Sequence, residues 1–181
     1  MVESLLPHGK ALRVSDDFRA DLAVVASIPA VPKILELVCR TTGMRFAAVA
    51  RVTEARWIAC AVHDEIDFGL VPGSELKVET TICNEIRQSG NAVVIDHVAE
   101  DGTFCQHPTP AIYGFQSYIS VPIRRPDGSF FGTLCAIDPR PARLNRPEVV
   151  QMFTLLAELI AFYLEAGERL AASEAALLGE R

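Results

Sequence analysis

No stretch of this chain approaches the ~20 consecutive apolar residues that span a bilayer, and Met1 does not open a basic, apolar leader. These absences predict a cytoplasmic protein that does not engage a membrane. Basic charge is also short. Lys and Arg total 17 against 23 Asp and Glu, a formal net charge of −6 with an isoelectric point near 5.2. No positive field is available to neutralise phosphates, and no helix-turn-helix or zinc-finger spacing occurs, so nucleic acid is not an expected partner. The five cysteines, Cys39, Cys60, Cys83, Cys105 and Cys135, lie far apart without a C-x-x-C pair. This excludes a disulfide framework and a zinc site and leaves reduced thiols. A glycine-rich phosphate loop, an H-E-x-x-H helix and a placeable Ser/His/Asp set are all missing, so the chain is expected not to be an enzyme.

What is present suffices for one domain. Half of the 181 residues are hydrophobic, enough to bury a full core without staples, with extra helical length left over. The organising stretch is Phe115 to Asp138, read as a β-hairpin. Two runs rich in β-branched and aromatic residues flank Pro126-Asp127-Gly128, where proline presets φ and glycine accepts φ > 0. Alternation puts Phe115, Ser117, Ile119, Val121 and Ile123 on one face and Gln116, Tyr118 and Ser120 on the other. A face with Tyr118 and Ser120 suits the wall of a small-molecule pocket.

Residues 1 to 14 lack periodicity and read as a flexible lead-in. Ser15 is an expected N-cap, with Asp16 and Asp17 at the positive end of a helix carrying Phe18, Leu22 and Val25. A second helix follows Val31, with Pro32 in its first turn, Ile34, Leu37 and Val38 facing inward, and Gly43 ending it. Phe46 to Thr53 and Arg56 to His63 form a strand pair, with Trp57, Ala59 and Ala61 on one face of the second strand and Ile58, Cys60 and Val62 on the other. The acidic loop 64 to 73 carries Ile66, Phe68 and Leu70, apolar side chains able to fold over something. Glu75 to Ser89 reads as one helix with Gly90 as C-cap, Val93 to Ile95 as a short strand, and 96 to 114 as a long connection of the kind that carries function.

The last helix repeats Val149, Phe153, Leu156, Ile160, Tyr163, Gly167, Leu170 and Leu177 at 4-3 spacing, broken at Glu174. The apolar stripe outlasts the domain. It predicts a parallel dimer seam, with residues 166 to 181 a signalling helix leading into a further segment.

Glu79-Thr-Thr-Ile-Cys-Asn-Glu-Ile86, Val93-Val-Ile-Asp96, the run from His107 to Ile123 and Gly132-Thr-Leu-Cys-Ala-Ile-Asp-Pro139 together resemble the GAF domain. That sensory module occurs in phytochromes, cyclic-nucleotide phosphodiesterases and bacterial sensor histidine kinases. The resemblance covers residues 18 to 165 and implies an α+β fold: a central antiparallel sheet, N- and C-terminal helices on one face and pocket loops on the other. The domain would run from 15 to 165, bind a small ligand or relay a signal as a homodimer, and drive a C-terminal output domain such as a histidine kinase. Candidate pocket residues are Trp57, Phe68, Phe104, Tyr113, Tyr118, Ser120, Thr133 and Cys135, with Cys105 and His107 from the long connection. Similarity to cyanobacteriochromes implies one alternative, a bilin held through a Cys105 thioether, although Gln106 stands where that family has histidine and His107 follows one position later. Haem held by His107 or His63 is another. Similarity to free methionine-R-sulfoxide reductase implies a third, with Cys83 and Cys105 as nucleophile and resolving thiol.

Overall fold

In the computed structural model, which describes residues 16–179, six strands form one antiparallel sheet in the order β3-β2-β1-β6-β5-β4. They are β1 (Phe46–Val52), β2 (Trp57–Asp64), β3 (Glu75–Leu76), β4 (Val93–Ile95), β5 (Ser117–Arg124) and β6 (Phe130–Asp138). Helices α1 (Asp16–Ser27), α2 (Ala30–Thr42) and α5 (Pro147–Gly179) pack on one face. The opposite face is covered by loop 65–74, α3 (Ile82–Ser89) and α4 (Pro108–Tyr113). The expected architecture is thus the observed one. The lead-in and the Ser15 cap lie outside the described residues.

Strand alternation divides the core in two. On β1, Ala47 and Val49 face the helices, whereas Phe46, Ala48, Ala50 and Val52 face the loop-covered side. Helix α5 lays Val149, Phe153, Ala157, Ile160 and Leu164 on the sheet, against Ile119, Val121 and Leu134. The hairpin turns as its sequence predicts: Gly128 takes φ 84° and its N–H donates to the Arg125 carbonyl at 2.8 Å. Gly132 serves a different need, close approach, because any Cβ there would overlap the Ala50 carbonyl across the β1–β6 ladder. Asp138 at the end of β6 takes two N–H bonds from the Arg45 guanidinium, at 2.8 and 2.9 Å, tying the start of β1 to it.

Several expectations need correction. The segment 75–89 is not one helix. Its β-branched run extends the backbone at Lys77 and Thr81, giving β3, a single 3-10 turn at Val78–Thr80, and α3 only from Ile82. The connection 96–114 holds a further 3-10 turn, Val98–Glu100, and α4. The β2 faces do not alternate throughout, because a bulge skips Cys60 in the pairing with β1 and turns Val62 toward the loop-covered side. Phe115 precedes β5 and packs on the Tyr118 side, ring to ring at 5.4 Å, not with Ile119. On α5, Val149, Phe153 and Ile160 are core residues, so the seam predicted along them cannot form there. The large hydrophobic side chains left exposed on α5 are Leu155, Leu159, Phe162 and Tyr163, continued by Leu170 and Leu177, of which Tyr163, Leu170 and Leu177 belong to the predicted stripe. By length and mean hydropathy (1.6 over an 18-residue window) α5 would suffice to cross a membrane, but a third of that window is buried within the fold.

Candidate functional site

Three backbone features fix a small cavity on the loop-covered face. The Asp64 carboxylate, at the end of β2, accepts N–H bonds from Ile66 (3.0 Å), Phe68 (3.1 Å) and Gly69 (3.0 Å), and so folds loop 65–74 back over the sheet. Thr81 passes the chain into α3, which presents Ile82 and Cys83 in its first turn. Helix α4 is fastened by Thr109, whose hydroxyl donates to the Thr80 carbonyl at 2.8 Å, and by a 2.6 Å bond between Tyr113 and Thr80 hydroxyls. Between them lies a cavity of about 50 Å³, room for on the order of four waters. Phe68, Leu70 and Tyr113 form its roof, and Trp57, Tyr118, Cys135 and Ile137 its floor.

The floor holds a buried polar cluster. The Thr133 hydroxyl donates to Cys83 Sγ at 3.3 Å, and Tyr118 Oη lies 3.5 Å from the same sulfur. Cys135 Sγ donates to the Ala48 carbonyl at 3.6 Å and lines the same cavity as Cys83. Trp57 Nε1–H is buried without an acceptor at ordinary geometry, and so is the Ser120 hydroxyl. These donors act on one sulfur. The Cys135 thiol first, then the Thr133 and Tyr118 hydroxyls, hold the Cys83 thiol below its ordinary value against the opposing effect of burial. Cys135 is pushed well up, because the Cys83 sulfur it serves is the better anion and burial adds to this. Tyr118 rises with burial and with the charge on Cys83.

Trp57, Phe68, Tyr113, Tyr118 and Cys135 of the predicted set line the cavity. Thr133 stands behind it through Cys83. Ser120 is buried in β5 but does not line it. Phe104, Cys105 and His107 are corrections. His107 is extended ahead of Pro108, as expected, but its Nδ1 caps α4 by accepting from Thr109 N–H at 3.2 Å and its Nε2 meets Glu85 at 2.8 Å. Phe104 packs on that ring at 5.6 Å, outside the cavity. Cys105 is exposed. A tetrapyrrole therefore does not fit these residues: the cavity is far below the ~300–1,000 Å³ usual for ligand sites, and the thiol expected to anchor it faces solvent. Haem fails on the same volume, with neither His107 nor His63 among the lining residues. Nor does Cys83 share a site with Cys105; the second thiol in its cavity is Cys135.

A second cavity, about 500 Å³, opens on the helix side between α1, α2 and β2, lined by Leu22, Val25, Leu35, Cys60 and Pro72 among others. It is larger, but no charged or hydroxyl side chain lines it, so nothing there orients a ligand. The smaller cavity is the candidate site.

Comparison with known proteins agrees with this fold. The family model described as GAF domain matches residues 28–164. The chain belongs to the GAF family. Among solved structures, the GAF domain of Thermosynechococcus elongatus PixJ in its blue-light absorbing form is similar at TM-score 0.66 and 14% identity, covering 94% of this chain and 99% of that one. The GAF domain of an Acinetobacter phosphoenolpyruvate-protein phosphotransferase gives TM-score 0.63 and 12% identity over 87% and 96%. The type II free methionine-R-sulfoxide reductase of Thermoplasma acidophilum gives 0.59 and 14% over 81% and 96%. At these identities the likeness shows the GAF fold alone. Diguanylate cyclase DgcP of Escherichia coli K12 is 37% identical over 70 residues, 37% of this chain. The match spans about 20% of that relative's length.

Sequence reasoning named Cys83 only as a candidate nucleophile alongside Cys105 and did not place it in the pocket-lining set. The available signal was its place at the second residue of α3, facing the alternate residues Thr133 and Cys135 of β6. Such a sulfur lies near the positive end of the helix and meets the strand hydroxyls of Tyr118 and Thr133.

Proposed function

We propose that this GAF domain is a cytoplasmic sensory module whose small cavity takes a ligand of only a few atoms and whose α5 helix carries the result to an attached output domain. One observation carries the reading. Strands β5 and β6 present Tyr118, Cys135 and Ile137 to the cavity, and Ile119, Val121 and Leu134 to α5 on the opposite face. A shift of these strands at the cavity is therefore a shift of the surface on which α5 sits. Loop 65–74 is the gate, since anything larger than a few atoms requires Phe68 and Leu70 to move.

The exposed stripe Leu155, Leu159 and Phe162, prolonged by Leu170 and Leu177, supports a second copy of the chain as the partner of α5. A histidine kinase is the output domain we favour; the local match to a diguanylate cyclase makes a cyclase the alternative. Xenon, a compact apolar probe that enters dry protein cavities, tests the site by methyl NMR. Shifts at Ile82, Leu70 and Ile137 that saturate with xenon pressure are expected; unmoved methyls at all three would refute a ligand-accepting cavity.

A further inference from the structure

Cys83 of α3 and Cys135 of β6 both line one small cavity, whereas Cys39, Cys60 and Cys105 do not. Cys83 lies at the second residue of an eight-residue helix, where free N–H groups favour an anion, and takes hydrogen bonds from Thr133 and Tyr118. Trp57 Nε1–H, 3% exposed and without an acceptor at ordinary hydrogen-bond geometry, lines the same space and favours the Cys83 thiolate. A loosely satisfied buried donor beside a cavity of about 50 Å³ leaves a place for a very small molecule bearing an acceptor oxygen.

We infer that Cys83 and Cys135 form a peroxide-reactive thiol pair in the cavity, with Cys83 the attacking sulfur and Cys135 the resolving one. The Cys83 thiolate attacks one oxygen of a small hydroperoxide and the O–O bond breaks. Sulfur is oxidised to the sulfenic acid while the peroxide oxygen that leaves takes a proton and departs as water or alcohol. Cys135 sulfur then attacks Cys83 sulfur; the S–O bond breaks, and hydroxide leaves with the Cys135 proton as water. Two thiols and one hydroperoxide thus give one disulfide, one water and one further water or alcohol. Cavity size sets the specificity, admitting hydrogen peroxide and excluding bulky hydroperoxides. A disulfide would join α3 to β6 directly across the floor that faces α5. The inference rests on the sensory reading of the cavity for this signalling consequence, not for its chemistry.

The test uses the full chain carrying Cys105→Ser, so that the exposed thiol does not report, beside the unaltered protein. Each is exposed to hydrogen peroxide or to cumene hydroperoxide, alkylated and mapped by mass spectrometry. Cys83 and Cys135 should lose alkylation together, in one disulfide-linked peptide, about tenfold faster with the small oxidant that fits the cavity, while Cys39 and Cys60 keep theirs. In Cys135→Ser the reaction should stop at a Cys83 sulfenic acid trapped by dimedone. An unreacted Cys83 in the folded, unaltered protein, oxidation without the Cys83–Cys135 link, or equal rates with both oxidants would overturn the inference. Disulfide formation that leaves α5 association unchanged would instead count against the relay reading, with the thiol chemistry intact.

Discussion

Replacing Phe162 by glutamate removes the largest exposed apolar side chain of the α5 stripe. Phe162 is 63% exposed in the single chain, so a partner helix can cover about two thirds of a side chain whose full burial contributes up to ~3 kcal/mol. A symmetric seam loses that contribution in both copies and places two carboxylates near each other. The cost to association is then up to about 4 kcal/mol, roughly a thousandfold in Kd. The fold itself should not notice, because exposed substitutions usually change stability by no more than about 0.5 kcal/mol. Sedimentation velocity across a concentration series reads the first quantity and urea unfolding the second. A dimer as tight as the unaltered protein's, with Phe162→Glu folded, would refute the assignment of this face to a second copy.

Other perturbations address the scaffold. Gly132→Ala forces a methyl against the Ala50 carbonyl and should cost about 3 kcal/mol, read as a fall in the urea midpoint; an unchanged midpoint would contradict the close approach. Asp64→Ala leaves the Ile66, Phe68 and Gly69 amides without their acceptor and should accelerate their hydrogen exchange while costing about 1 to 2 kcal/mol. Protection equal to the unaltered protein would show that the gate is held otherwise. Burial pushes the Cys60 thiol up to about 12. Between roughly pH 9 and 12 the unfolded chain therefore sheds a proton that the folded one keeps, and stability should fall by up to about 1.4 kcal/mol per pH unit. Cys60→Val should flatten that slope in urea titrations at pH 9 to 10.5. Leu170→Pro breaks α5 beyond the core and, in the protein with its output domain attached, should abolish regulation while leaving the melting temperature unchanged; retained regulation would contradict signalling through the helix.

The sheet and its two layers were legible because strand alternation and turn chemistry are local. Pro126-Asp127-Gly128 specifies its turn, and Tyr118 reveals its face by being out of place in an ordinary core. The cavity was half legible. Aromatics such as Trp57 and Phe68 announce themselves by size, and the apolar residues of loop 65–74 have no reason to exist unless they cover something. Bulges were not legible: nothing in the run from Ile58 to Val62 says that Cys60 is skipped against β1, because that slip is decided by the neighbouring strand. His107 misled because its extended backbone was read correctly while its ring found a nearer task, capping α4. On α5 the 4-3 pattern was real, but its first part, Val149, Phe153 and Ile160, belongs to the core, whereas Tyr163, Leu170 and Leu177 stay exposed. An apolar helix shows its two faces separately only once the sheet has claimed one of them.

The relay from cavity to helix is tested most directly by amide exchange of residues 165–179, followed by NMR on the protein with and without saturating xenon. Beyond the sheet, residues 169–177 are exposed, so their protection reports how firmly this end of the helix is held, apart from any burial in their own domain. The account predicts that xenon changes protection along this stretch, in step with the cavity methyls of Ile82 and Ile137. Xenon-dependent shifts confined to the cavity, with exchange from 165 to 179 unaltered, would contradict it.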